Sequence, residues 1–188
     1  ISYHVQKLFS LNQGSAVLKH EFDGAKIPQA YLKGQVGVGT WYTSAKFDNI
    51  VVTDNKTGEI LAEDSCKLFS KTKWDFATDG KWKIKSGALT NTTTDMEYTE
   101  TGSVAYFGDT SWDNYTMTVE ATKLEGEEGF IIPFAVKDAQ NNYFWNIGGW
   151  GNTKSALQRM ENGVKTGEIL GTTTDFVVED GVTYQFKI

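Results

Sequence analysis

Only one cysteine, Cys66, stands in the 188 residues, so no disulfide can form within the chain and no cysteine-only metal site can be built. Its plain reading is a small buried hydrophobe rather than a reactive thiol. Histidine is almost as scarce: His4 and His20 are too few and too far apart for a zinc site or a Ser-His-Asp arrangement. No apolar run approaches the roughly 18 residues that a membrane-spanning helix needs. Basic clusters are missing as well. With a net charge of -6 and both signs interspersed, the chain lacks the positive face on which phosphate backbones bind, which argues against nucleic acid as a partner. The glycine-rich run Gly34-Gln35-Val36-Gly37-Val38-Gly39 has neither the lysine nor the following helix of a phosphate cradle, so its glycines serve strand packing.

What the chain has in excess is aromatic residues: six Trp, eight Tyr and eleven Phe, rings that either fill a sandwich core or line a ligand face. From about residue 34 onward, short alternating runs rich in Val, Ile, Thr, Tyr and Phe are separated by Gly, Asn and Asp. They predict strands over 35–41, 45–53, 59–62, 82–85, 88–91, 103–107, 114–123, 129–137, 142–147, 155–161, 166–170 and 182–188. Asp79-Gly80, Ser86-Gly87, Glu125-Gly126, Asn162-Gly163 and Asp180-Gly181 supply the positive-φ positions that tight hairpins require. The spacing predicts an all-β sandwich of the jelly-roll kind. Val5, Leu8 and Phe9, followed by Asn12 and Gly14, predict one short helix near the start. In strand 129–137 the alternation puts Phe130, Ile132, Phe134 and Val136 on a buried face, and Pro133 demands an edge or a bulge. Tyr184, Phe186 and Ile188 still alternate at the last residue, and the chain opens on Ile1, so it reads as a piece of a longer protein.

Catalysis in a jelly roll calls for carboxylates at alternating strand positions, which point into the same groove. Glu21 and Asp23 begin the alternating acid pattern of jelly-roll glucanases, but Ala25 and Lys26 stand where the second glutamate would be needed. Glu125, Glu127 and Glu128 are interleaved with Gly126 and Gly129 and read as a solvated hairpin. Asp109, Asp113 and Asn114 leave a structural calcium as a candidate, without the spacing of a dedicated loop; no other cofactor is called for. Sequons at Asn55, Asn91 and Asn114 matter only in a eukaryotic secretory host.

The segment 142–152 stands apart because apolar residues fall on both of its faces: Tyr143, Trp145 and Ile147 on one, Phe144 beside the polar Asn146 on the other. Rings stack on the C–H faces of sugars while amides and guanidinium groups satisfy hydroxyls. Phe144, Asn146, Trp150, Gln158 and Arg159 are therefore the candidate ligand-binding residues, and core or interdomain packing of the same rings is the competing reading. Two stacked rings and a few exposed hydrogen bonds would give about 4–6 kcal/mol, a weak affinity.

Two stretches carry a resemblance. Ser2-Tyr3-His4-Val5-Gln6-Lys7-Leu8-Phe9-Ser10 with Asn12 and Gly14 is one; Trp112 through Tyr115, then Glu128-Gly129-Phe130, then Phe144-Trp145-Asn146-Ile147-Gly148-Gly149-Trp150-Gly151-Asn152 is the other. Together they resemble bacterial α-L-arabinofuranosidases of glycoside hydrolase family 51. The first resembles the end of such an enzyme's catalytic (β/α)8 barrel, the second a concanavalin-like jelly roll found after it. The resemblance divides the chain into 1–30, the end of the catalytic domain and a linker, and 31–188, a sandwich truncated at its C-terminal strands. Gly37 to Trp41 and Phe47 to Val52 resemble the strand pair that usually closes a concanavalin-like jelly roll; here they come first, as in a permuted or inserted sandwich. The family's catalytic glutamates lie on barrel strands absent from this chain, so no catalytic residue is expected in it. The implied role is a carbohydrate-binding accessory domain, with a purely structural module packing on the barrel and an independent jelly-roll glycoside hydrolase as the alternatives, and with the barrel and arabinose-containing polysaccharide (arabinan, arabinoxylan) as partners. An extracellular or periplasmic location and no membrane partner are implied with it.

Overall fold

In the computed structural model, residues 30–67, 73–76, 81–95 and 102–188 are described, with backbone alone over 166–171. Thirteen strands run through them: β1 (Val36–Thr40), β2 (Thr43–Asp54), β3 (Ile60–Asp64), β4 (Trp74–Phe76), β5 (Trp82–Lys85), β6 (Ala88–Asn91), β7 (Ser103–Phe107), β8 (Tyr115–Gly126), β9 (Phe130–Asp138), β10 (Asn141–Gly148), β11 (Lys154–Glu161), β12 (Val164–Thr173) and β13 (Thr183–Lys187). They form two antiparallel sheets, one in the order β12-β11-β10-β9-β1-β7-β4, the other in the order β13-β8-β2-β6-β5 with β3 also on β2. The fold is the predicted jelly-roll sandwich. The two early strands β1 and β2 lie in the interior of one sheet each, β1 between β9 and β7 and β2 between β8 and β6.

Alternation fixes which residues meet between the sheets. In β1, Val36, Val38 and Thr40 point inward, and Gly37 and Gly39 face out, where an added Cβ would press on Tyr106, Pro133 and Val104. Phe47 of the six-stranded sheet meets Phe130 of the seven-stranded one edge to face at 6.0 Å, and Phe186 closes on the same ring at 5.6 Å. Burial of each such ring contributes about 2–3 kcal/mol. One buried polar contact also joins the sheets: Asn91 Nδ2 donates to Thr40 Oγ1 at 2.8 Å, and that hydroxyl donates to the Thr43 carbonyl at 2.6 Å.

Strand β9 corrects the simple alternation. Phe130 and Ile132 face the core as predicted, but Ala135 adopts φ 47°, a bulge that moves Val136 to the face of Ile131. Pro133 is not on an edge. Its strand lies between β10 and β1, and the β1 pairing holds at Gly39–Ile131 and again at Gln35–Val136, with Pro133 in the interruption. The Tyr115 hydroxyl bridges that gap, accepting from Ala135 N at 2.9 Å and donating to Gln35 O at 3.4 Å.

The short strand β4 was not predicted; its three residues are too few to show alternation, although Trp74 stacks on Phe107 at 4.9 Å. The helix predicted near residues 3–12 and the turn at Asp79-Gly80 lie outside the described residues. The turns Ser86-Gly87 and Asn162-Gly163 have both φ values positive, as a two-residue hairpin of right-handed strands requires.

Candidate functional site

Strands β10 and β11 present the predicted ligand residues, and register decides their faces. Phe144 pairs with Gln158, Asn146 with Ala156, and Tyr143 with Arg159, so Phe144, Asn146 and Gln158 share the face turned away from the other sheet. Arg159 lies on the opposite face. There its guanidinium sits 4.5 Å from the Tyr31 ring and bonds Glu161 at 2.9 Å.

The outward face carries a small core of its own, made by Trp41, Val104, Tyr106, Ile131, Val136, Phe144 and Met160. Trp41 meets Phe144 edge to face at 5.6 Å, and the Lys165 ammonium stands 4.5 Å from the Trp41 ring centre. Phe144, Asn146 and Gln158 are 2%, 4% and 2% exposed. The two amides bond each other, Asn146 Nδ2 donating to Gln158 Oε1 at 3.1 Å. Gly149 closes over this pair: a Cβ there would stand 2.5 Å from Asn146 Oδ1.

Trp150 belongs to a different setting. It lies at the tip of the β10–β11 connection, 38% exposed, in a single turn spanning Gly149–Asn152. Gly148, Trp150, Gly151 and Asn152 all have positive φ. Lys154 places its ammonium 4.1 Å from the indole centre. Beneath the turn, Glu128 accepts from Gly151 N at 3.3 Å. The structure thus gathers Phe144, Asn146 and Gln158, and sets Trp150 and Arg159 apart from them.

Sequence reasoning missed Glu128. Glu125 and Glu127 are solvated as expected, but Glu128 is half-buried and holds a turn more than twenty positions away, which no local pattern could reveal. Burial pushes its carboxyl above the ordinary carboxylate value, with the turn amides and Lys165 pulling the other way. Asp64 is the buried acid among the described residues. It accepts from Trp74 Nε1 at 2.9 Å and from Cys66 N at 2.8 Å, and Lys73 stands at 3.6 Å. Cys66 is buried as expected, and burial pushes its thiol up to about 12, far from a nucleophile at neutral pH.

The candidate calcium ligands Asp109 and Asp113 have protein partners of their own. Asp113 lies 3.3 Å from the Lys56 ammonium and 3.7 Å from that of Lys33, and Asp109 accepts from Ser111 N at 2.8 Å. Among the described residues no group of three or more His, Cys, Asp and Glu side chains converges on a point. Nor is any described helix long and apolar enough to cross a membrane.

No protein-family model matches the chain. No solved structure matches it. In sequence it is 35% identical over 189 aligned residues to an extracellular exo-α-L-arabinofuranosidase of Streptomyces chartreusis. That alignment takes in the whole of this chain and 22% of the relative, so the chain spans about a fifth of the enzyme it matches. From end to end, then, this sandwich is similar to one segment of an arabinofuranosidase.

Proposed function

We propose that the chain is a non-catalytic accessory module of an extracellular α-L-arabinofuranosidase of the family 51 kind, holding arabinose-bearing polysaccharide such as arabinan or arabinoxylan near the catalytic barrel. The alignment supports the parentage. The non-catalytic character is supported by the engagement of the buried Asp64 and the half-buried Glu128 in structural bonds. Retaining glycoside hydrolysis needs two carboxyl groups about 5–5.5 Å apart on either side of the bond. Here Asp64 is bound to an indole, a backbone amide and a lysine, and Glu128 to the turn at Gly151. Each has a structural task in a different part of the fold.

One observation favours a second reading, in which the module only packs on its parent and shapes the mouth of the active site. Phe144, Asn146 and Gln158 are buried and the amides satisfy each other, so this face serves as internal scaffold rather than an open groove. Affinity electrophoresis in gels containing arabinan or arabinoxylan separates the two: retardation by either polymer supports binding, and equal mobility in both gels leaves only packing. Turnover of an aryl arabinofuranoside by the isolated chain would overturn the non-catalytic assignment altogether.

A further inference from the structure

We infer that the Gly149–Asn152 turn is the sugar-contact site of the module and that the Trp150 indole is its stacking platform, taking the C–H face of a neutral furanosyl ring. The inference rests on the accessory-module reading above and adds the place and the residue.

Local structure gives no reason for a tryptophan at position 150. Its backbone sits at φ 53°, ψ 52°, the left-handed region that bulky residues avoid. Three neighbours in the same region, Gly148, Gly151 and Asn152, are the residue types that tolerate it. A glycine at 150 would make the same turn without strain. The largest side chain of the twenty stands there instead, and 38% of it is left exposed rather than in the core.

The turn is also fixed well beyond what a hairpin tip needs. Thr153 Oγ1 donates to Trp150 O at 2.8 Å, and Thr153 N donates to Gly149 O at 3.0 Å. Glu128 holds Gly151 N, and Asn152 bonds both backbone groups of Val178, at 2.8 and 2.9 Å. A ring presented from a locked base loses little freedom when a ligand stacks on it, which is what weak sugar recognition requires. Lys154 braces one side of the indole at 4.1 Å, so a sugar takes the side away from it, with the ammonium close enough to meet a hydroxyl at the ring edge. Glu128 acts here as a positioning residue, through the turn amides and not through the sugar.

The test separates binding from folding. Trp150→Gly relieves the backbone and should melt no lower than the parent, yet weaken retardation by arabinan about tenfold or more in dissociation constant; Trp150→Tyr, which keeps a ring, should lose much less. Oxidation by N-bromosuccinimide with peptide mapping gives a second measurement on the unaltered chain: arabinan should protect Trp150 selectively. Retardation of the parent with equal retardation of Trp150→Gly, or oxidation of Trp150 indifferent to arabinan, would overturn the platform while the accessory reading stands. No retardation of the parent would remove both.

Discussion

Asn152 meets Val178 as one strand meets another: its Oδ1 accepts from Val178 N at 2.9 Å and its Nδ2 donates to Val178 O at 2.8 Å. A side-chain amide thereby stands in for a backbone partner and ties the turn after β10 to the segment leading into β13. Val178 is buried, and Gly129 and Gly148 make room for it, since a Cβ on either would come within 2.8 Å of its Cγ2.

Removing that clamp has two separable costs. Asn152→Ala leaves both Val178 groups without their partner and forces an alanine to φ 60°, so it should destabilise by about 2–4 kcal/mol. Asn152→Gly loses the same bonds but not the backbone tolerance, and should recover about 1 kcal/mol of that. Urea midpoints of the two variants measure the difference; equal midpoints would mean that the left-handed backbone carries no strain.

Gly149 and Asn146 are coupled by space. Gly149→Ala drives a methyl group against the Asn146 amide and away from Gln158, at an expected cost of about 1–3 kcal/mol. Shortening Asn146 to alanine in the same chain gives the methyl room. The double variant should therefore be more stable than the sum of the two single effects predicts, by about 1 kcal/mol, in a thermodynamic cycle read from denaturant unfolding. Additive effects would show that the methyl is accommodated elsewhere.

The sandwich was legible because period-two alternation is a local signal, and twelve of the strands carry enough of it; Trp74–Phe76 is too short to do so. The faces of β10 followed from the same rule, with Phe144 and Asn146 opposite Tyr143 and Trp145. Face assignment by itself could not distinguish an open groove from a covered one, which is why the sequence left ligand binding and core packing as competing readings for Phe144 and Asn146. Grouping Arg159 with Gln158 overlooked that neighbours in a strand point oppositely. The Ala135 bulge and the Glu128 contact depend on partners distant in sequence, Tyr115 and Gly151, and leave no trace in local pattern.

Asn91 tests how the two sheets are held in register. It is fully buried, donates to Thr40 Oγ1 at 2.8 Å and accepts from Thr93 N at 3.1 Å. Asn91→Ala removes the cross-sheet bond and leaves the Thr93 amide without that acceptor, so a loss of about 1–3 kcal/mol is expected in thermal or urea unfolding. Thr40→Val should cost at least as much as Asn91→Ala, because the hydroxyl both accepts from Asn91 Nδ2 and donates to the Thr43 carbonyl, and both buried groups lose that partner. Burial also takes the Asn91 sequon out of reach once the chain has folded, whereas Asn55 and Asn114 are exposed.

Glu128 gives the fold a titrating latch whose sign can be worked out. Burial raises its carboxyl above the ordinary value, and the nearby Glu127 adds to the effect; bonds from the Gly151 and Trp150 amides and the charge of Lys165 oppose it without cancelling it. The folded chain therefore binds this proton more tightly than the unfolded chain. Stability from this group is fully present below the unfolded pKa, about 4.3, and is lost as pH rises through the folded value. Glu128→Gln keeps an oxygen that can accept from Gly151 N and carries no charge at any pH. At pH 7 it should be at least as stable as the parent, and the gap should close as the pH falls below about 4. Urea midpoints of both proteins at the two pH values decide it: a glutamine variant clearly weaker at pH 7 would mean that the ionised carboxylate, through Lys165 and the turn amides, stabilises the turn by more than its desolvation costs.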